Sequence, residues 1–248
     1  KAWTDWRSTL LGQLGVEVRA RLDSGAAPPL VERADRVSHE TIEAVAAGEP
    51  EVLVRPQGGS YRIDIVDRDR LGLFADTAGL LAAQGLIVRT AILRTVDGVA
   101  ANEWHVETPS GSAPDPEAIS RSLVRLAAGD RAPLNLLHRR RTDAARPGAG
   151  SGATGVPGRA RALVVPQAWA DATVIEVRAQ DRIGLLHELG MTFARAGLSV
   201  RSAHIATYAG QTLDTFSVTE FGSRVLEPAK VAQVLAMVID TCEGHPPP

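Results

Sequence analysis

The chain repeats itself. Shifting the sequence by 112 residues lays residues 63–106 on residues 175–218 without a gap. Asp69-Arg70-Leu71-Gly72-Leu73 falls on Asp181-Arg182-Ile183-Gly184-Leu185, Gly85-Leu86 on Gly197-Leu198, and Val88-Arg89 on Val200-Arg201. Ala91, Thr95 and Gly98 fall on Ala203, Thr207 and Gly210. Roughly a third of the aligned positions are identical and the glycines stay in register, which marks a duplicated unit. The period is too long for a solenoid turn, so it predicts two domains of about 70–80 residues with a spacer.

Both copies read alike. Tyr61 to Val66 alternates apolar and polar residues, as a half-buried strand does, and Thr173 to Val177 is its counterpart. A turn carrying Asp69 or Asp181 follows. A helix then runs from about Leu71 to Gln84 with Phe74, Ala78 and Leu81 on one face; Leu185, Leu189, Phe193 and Ala196 make the same stripe in the second copy. Gly85 and Gly197 stand where a helix ends in a left-handed residue. The next strand, Leu86 to Thr95 or Leu198 to Thr207, changes parity: Leu86 and Val88 share a face, but the next inward positions are Ala91 and Leu93. An odd step between inward residues predicts a β-bulge near Arg89-Thr90 and Arg201-Ser202. Asp97-Gly98 and Ala209-Gly210 are hairpin turns. A third strand carries Trp104 and Val106, or Phe216 and Val218, and second helices cover about Asp115 to Ala128 and Glu227 to Thr241. The fourth strand is short or unreadable. The order predicts an α+β fold of two ferredoxin-like βαββαβ units, each an antiparallel sheet with both helices on one face.

Outside the copies, Trp6, Leu10, Leu14, Val18 and Leu22 are spaced by four, as on an amphipathic helix ended by Pro28-Pro29, and Glu32 to Ala47 is a second helical stretch. Residues 1–50 are therefore expected as a helical segment, 58–130 and 171–243 as the two units, and 131–170, with Arg139-Arg140-Arg141 and a Pro-Gly-Ala-Gly-Ser-Gly run, as a flexible linker. A net charge of −2 argues against bulk nucleic-acid or anionic-membrane binding. The single cysteine, Cys242, excludes an internal disulfide and a cysteine zinc cage. No apolar run approaches the roughly 20 residues of a membrane span, and the chain reads as cytoplasmic. Its first residue, Lys1, reads as the start of a fragment.

The repeated Asp-Arg-x-Gly turn has two readings. In the structural one, Asp69 and Asp181 cap the following helix, and Gly72 and Gly184 let helix pack on sheet. In the functional one, the helix N-terminus binds a carboxylate and the glycine lets a small ligand approach the main chain. An amino acid offers such a carboxylate, and a seam between two equivalent domains offers a place for it. Ligand-binding candidates are accordingly Asp181, Arg182, Ile183, Gly184 and Leu185, with Asp69, Arg70, Leu71, Gly72 and Leu73 in the first copy.

This turn, followed by Gly-Leu-x-Val-x-x-Ala-x-Ile/Leu-x-Thr, resembles the ACT domain, whose βαββαβ modules usually bind amino acids at interfaces between copies. The match covers about 60–130 and 170–242. Two such copies joined by an arginine-rich linker resemble the tail of the bifunctional PII uridylyltransferase family. The second copy carries the closer match, in Thr173 to Val177, Asp181 to Leu186, Ala203 to Tyr208 and Leu213-Asp214-Thr215-Phe216. Trp3-Thr4-Asp5-Trp6-Arg7 looks like the end of that family's HD-type hydrolase domain. The resemblance implies glutamine as ligand, the PII signal protein as partner of a parent enzyme that uses magnesium, and ACT–ACT pairing within or between chains. It implies no catalytic residue, metal site or cofactor in these 248 residues. The family commonly has Pro where this chain has Leu71 and Ile183, and the first copy has Asn102-Glu103-Trp104 in place of Asp214-Thr215-Phe216. Two alternatives stay open: a stand-alone amino-acid-binding module, and the regulatory tail of another amino-acid-controlled enzyme.

Other patterns point elsewhere only superficially. Gly59-Ser60 with Asp67-x-Asp69 mimics a magnesium-holding nucleotidyltransferase motif, but Arg68 and Arg70 crowd it with cations and Ala179 replaces Asp67 in the second copy. The histidines, His204 among them, lack metal-ligand spacing.

Overall fold

The computed structural model describes residue 45 and residues 47–244, other than 97, 110, 145–158, 166–171, 209 and 221–224. The helical segment expected over residues 1–50, with Trp3 and Trp6, lies almost wholly outside the described residues.

The first copy consists of β1 (Glu51–Gln57), β2 (Ser60–Arg68), α1 (Leu73–Ala83), β3 (Ile87–Val96), β4 (Val99–Glu107) and α2 (Pro116–Ala127). A short 3₁₀ turn (Ala132–Leu134) and α3 (Asn135–Ala144) follow. The second copy consists of β5 (Arg161–Val164), β6 (Thr173–Gln180), α4 (Leu185–Arg195), β7 (Leu198–His204), β8 (Thr207–Tyr208), β9 (Gln211–Glu220) and α5 (Pro228–Cys242). The expected α+β class holds, with antiparallel pairing throughout. The outer strand of each copy departs from the βαββαβ order. It precedes the first repeated strand: β1 pairs with β2 and β5 with β6. In the first copy Gly58 and Gly59, at φ 56° and 88°, make the tight hairpin turn that folds β1 back.

The strands run β1-β2-β4-β3-β7-β9-β6-β5, so the two copies share one sheet. At the joint Thr90 pairs with His204, Ala91 with Ala203 and Ile92 with Ser202. Ala91 and Ala203 are equivalent under the 112-residue shift, so the joint is a strand paired with its own copy about a local two-fold axis. The bulges fall as the parity change requires, between Val88 and Thr90 and between Val200 and Ser202. The bulges let Val88 and Ala91, and likewise Val200 and Ala203, three positions apart, both face the core.

The helices cover one face. Phe74, Ala78 and Leu81 of α1 and Leu185, Leu189 and Phe193 of α4 are buried, as their spacing requires. The core is continuous across the joint: Phe74 stacks on Trp104 at 5.4 Å and meets Phe216 edge-on at 6.2 Å, and Phe193 lies 5.1 Å from Phe216. Helices α1 and α4 pack closely because each lacks a side chain where they meet. A Cβ on Gly190 would stand 2.9 Å from the Ala75 backbone, and one on Gly79 would stand 2.7 Å from Nδ1 of His187. That nitrogen lies 2.7 Å from the Ala75 carbonyl, and desolvation by burial lowers the His187 pKa.

The expectation of a flexible linker over 131–170 needs correction at residues 132–144 and 161–164, whereas 145–158 and 166–170 lie outside the described residues. Leu134 and Leu137 are buried and pin α3 to the helical layer, and residues 161–164 form the outer strand β5. Arg139, Arg140 and Arg141 therefore stand on an ordered helix.

Candidate ligand site at the joint

The repeated turn is a backbone device before it is anything else. Leu73 N–H donates to the Arg70 carbonyl and Leu185 N–H to the Arg182 carbonyl, at 3.2 and 3.1 Å. Gly72 (φ 85°, ψ −3°) and Gly184 (φ 82°, ψ 4°) take the third position of a type II turn, where only glycine is unstrained. Leu71 and Ile183 occupy the second position and are exposed.

Asp69 and Asp181 are not helix caps, contrary to the structural reading of the sequence. Gly72 and Gly184 hold the cap positions, without side-chain capping bonds. The aspartates belong to the sheet end. Their N–H groups donate to Gly98 and Gly210 at the hairpin tips, both at 2.9 Å. Thr95 Oγ1 donates to Asp69 Oδ2 at 3.0 Å, and Thr207 bonds Asp181 likewise. The surrounding chain strips water from the Asp181 carboxyl and raises its pKa, while the Arg182 N–H, the Arg89 charge and Thr207 pull it back. Arg70 and Arg182 each reach the acidic residue six positions on. Arg70 Nη1 lies 2.7 Å from Asp76 Oδ2, and Arg182 pairs with Glu188 while donating to the Thr241 carbonyl at 2.8 Å.

Both turns open onto the joint. Asp69 to Leu73 line a cavity closed on the far side by Leu198 to Arg201 of the other copy. Asp181 to Leu185 line the equivalent cavity, together with Leu86, Ile87 and Val88 of the first copy. All ten residues expected from the sequence thus line cavities, five in each. The cavities differ in size. The first has about 30 Å³, room for little more than a water molecule, and the second about 450 Å³, within the range of small-molecule sites.

One pair of residues accounts for part of the difference. Arg89 is held by Glu107 at 2.7 Å. In the second copy the position of Glu107 is Thr219, so the equivalent Arg201 has no carboxylate there and reaches across the joint towards Thr95 Oγ1, at 3.4 Å. The smaller cavity is also lined by Phe74, where the larger has Leu186.

The glycine that was expected to admit a ligand is covered. A Cβ on Gly184 would stand 3.1 Å from Leu137 and 3.2 Å from Arg141, both on α3. Arg141 also pairs with Glu188 in the first turn of α4. Sequence reasoning missed α3 as a wall of this site; the buried Leu134 and Leu137, three residues apart, were its signal.

The ACT domain family model matches residues 173–226, the span containing the larger cavity's turn. The match lies wholly within the second copy and takes in its first helix and strands β6 to β9. Over 88% of its length the chain is 32% identical to the bifunctional uridylyltransferase/uridylyl-removing enzyme of Streptomyces coelicolor, covering 31% of that protein. It is 30% identical over 98% of its length to the one from Mycobacterium tuberculosis, again covering 31%, and 31% identical over 87% to the one from Caulobacter vibrioides, covering 23%. The chain therefore spans about a third or less of the length of the relatives it matches. The first ACT-like copy lies outside the matched segment and is tied to the ACT domain by the repeat and the shared sheet. Among the described residues, no helix is long and apolar enough to cross a membrane.

Proposed function

We propose that this chain is the glutamine-sensing region of a cytoplasmic bifunctional enzyme that attaches uridylyl groups to, and removes them from, the PII signal protein. The observation that carries the proposal is the larger cavity, built from both copies at the turn of the ACT domain. Identity of 30–32% to uridylyltransferase/uridylyl-removing enzymes over most of the chain supports that choice of parent.

The cavity suits an amino acid. Asp181 stands at its mouth to meet an ammonium group, Ala78, Ala82, Leu86 and Val88 supply apolar wall, and the start of α4 favours negative charge. That helix end contributes only about 0.3–1 kcal/mol where exposed, so affinity rests on enclosure by both copies. A ligand touching both copies also favours one arrangement of them over others, which is what a regulatory signal to a catalytic half requires.

Calorimetric titration of the chain tests this. Glutamine is expected to bind with one site per chain, and glutamate at least about tenfold more weakly, because its second carboxylate must lose water beside apolar walls and Asp181. Absence of glutamine binding, or glutamate binding as tightly, contradicts the proposal.

A further inference from the structure

Arg140 is the one cation lining the larger cavity that does not come from the ACT turn. It projects from α3 across the C-terminal end of α1, into space that exists because residue 85 is glycine: a Cβ there would stand 2.7–2.8 Å from the two Nη atoms. Its neighbours on the helix behave differently. Arg141 is committed to Glu188, and Arg139, exposed as Arg140 is, does not line the cavity. Among the described residues no carboxylate pairs with Arg140. Nor is it the partner of Asp181, whose neighbouring cations are Arg89 and Arg182. The cavity thus carries an uncommitted guanidinium and an acidic group that are not each other's partners, with apolar wall between the copies. A guanidinium presents a planar fork of donors matched to a carboxylate.

Resting on the amino-acid reading of this cavity, we propose that Arg140 binds the α-carboxylate of the ligand, with Asp181 facing the α-ammonium group. Helix α3 is then part of the binding site. Leu137 and Arg141 press it on the ACT turn while Arg140 reaches the ligand, so occupancy fixes the segment between the copies as well as the turn. The smaller cavity is not lined by any residue of α3.

The test uses calorimetry on the 248-residue chain as wild type, Arg140→Gln and Arg139→Gln. Each of the twenty common amino acids is titrated into wild type, and the tightest is then compared with its own α-carboxamide on all three proteins. Wild type and Arg139→Gln are expected to prefer the acid over the amide by about 10- to 100-fold, the range of a charge-assisted pair. Arg140→Gln is expected to bind the acid 10- to 100-fold more weakly than wild type, to bind the amide as wild type does, and so to lose the preference. A structural role for Arg140 at the end of α1 would weaken acid and amide alike, and that result overturns the proposal, as does a retained preference. Either leaves the amino-acid site standing. Failure of wild type to bind any of the twenty removes the site itself and Arg140's role with it.

Discussion

At pH 8, Asp214→Asn is expected to make the chain more stable than wild type by roughly 2–4 kcal/mol. Asp214 lies in β9 with 2% of its surface exposed, opposite Val177 in the sheet. Burial pushes its carboxyl up to about 7; the charge of Asp181 pushes the same way, and the Thr212 hydroxyl and the Ala206 backbone only partly oppose it. The sign follows from proton counts. Between the ordinary value of 3.8 and about 7 the folded chain keeps a proton that the unfolded chain has released. Stability therefore falls as pH rises through that window, by about 1.4 kcal/mol per unit at most, and the loss is complete above it. Asparagine has no such dependence, keeps an oxygen for the Thr212 hydroxyl, and already fills the equivalent buried place in the first copy as Asn102. Urea unfolding of both proteins at pH 4.5, 6 and 8 checks this. Wild type should be the less stable at pH 8, and the gap should narrow towards pH 4.5. A gap that does not change with pH would show that Asp214 is not buried as described.

Gly184→Val is expected to destabilise the chain by about 2–5 kcal/mol, and Gly72→Val by only about 1–3. Both place a β-branched residue at a positive φ, which alone costs about 1–3 kcal/mol. The extra cost at Gly184 comes from α3, because the new side chain would be driven into Leu137 and Arg141. Around Gly72 the nearest atom is Ala194 Cβ at 3.8 Å, an ordinary contact. Loss of ligand binding by Gly184→Val would then follow from a displaced turn and helix. Denaturant unfolding of the two variants side by side separates these contributions, and equal losses would mean that α3 does not bear on the turn.

The sequence disclosed whatever the duplication and residue periodicity encode. Ala91 and Ala203 keep the register of the repeat, and that register alone places both bulges. The ten turn residues were legible because Asp-Arg-x-Gly recurs, and their place at the joint between copies followed from having two of them. Their individual roles were not legible. Asp69 and Asp181 precede helices, where an aspartate ordinarily caps; the type II turn moves the helix start past the glycine and leaves each aspartate to a threonine at the same end of the sheet. Helix α3 was hidden because an Arg-Arg-Arg run beside a Gly-Pro stretch has the composition of a linker. Only Leu134 and Leu137 face inward, and a stripe that short carries little periodic signal. The outer strands β1 and β5 were hidden for a related reason: they cover sheet edges, so their burial is partial and their alternation weak. Nor could the unequal cavities be read from either turn, since one contributing residue, Glu107 against Thr219, lies on a different strand.

The central claim, that the ligand occupies the joint at the second turn and engages α3, is tested most directly by hydrogen–deuterium exchange with and without saturating glutamine. Slower exchange is expected in residues 137–144, 181–187 and 85–88, which line or flank the larger cavity, with the turn at 69–73 unchanged. Protection at 69–73 equal to or greater than that at 181–187, or glutamine binding that leaves α3 unprotected, would contradict it.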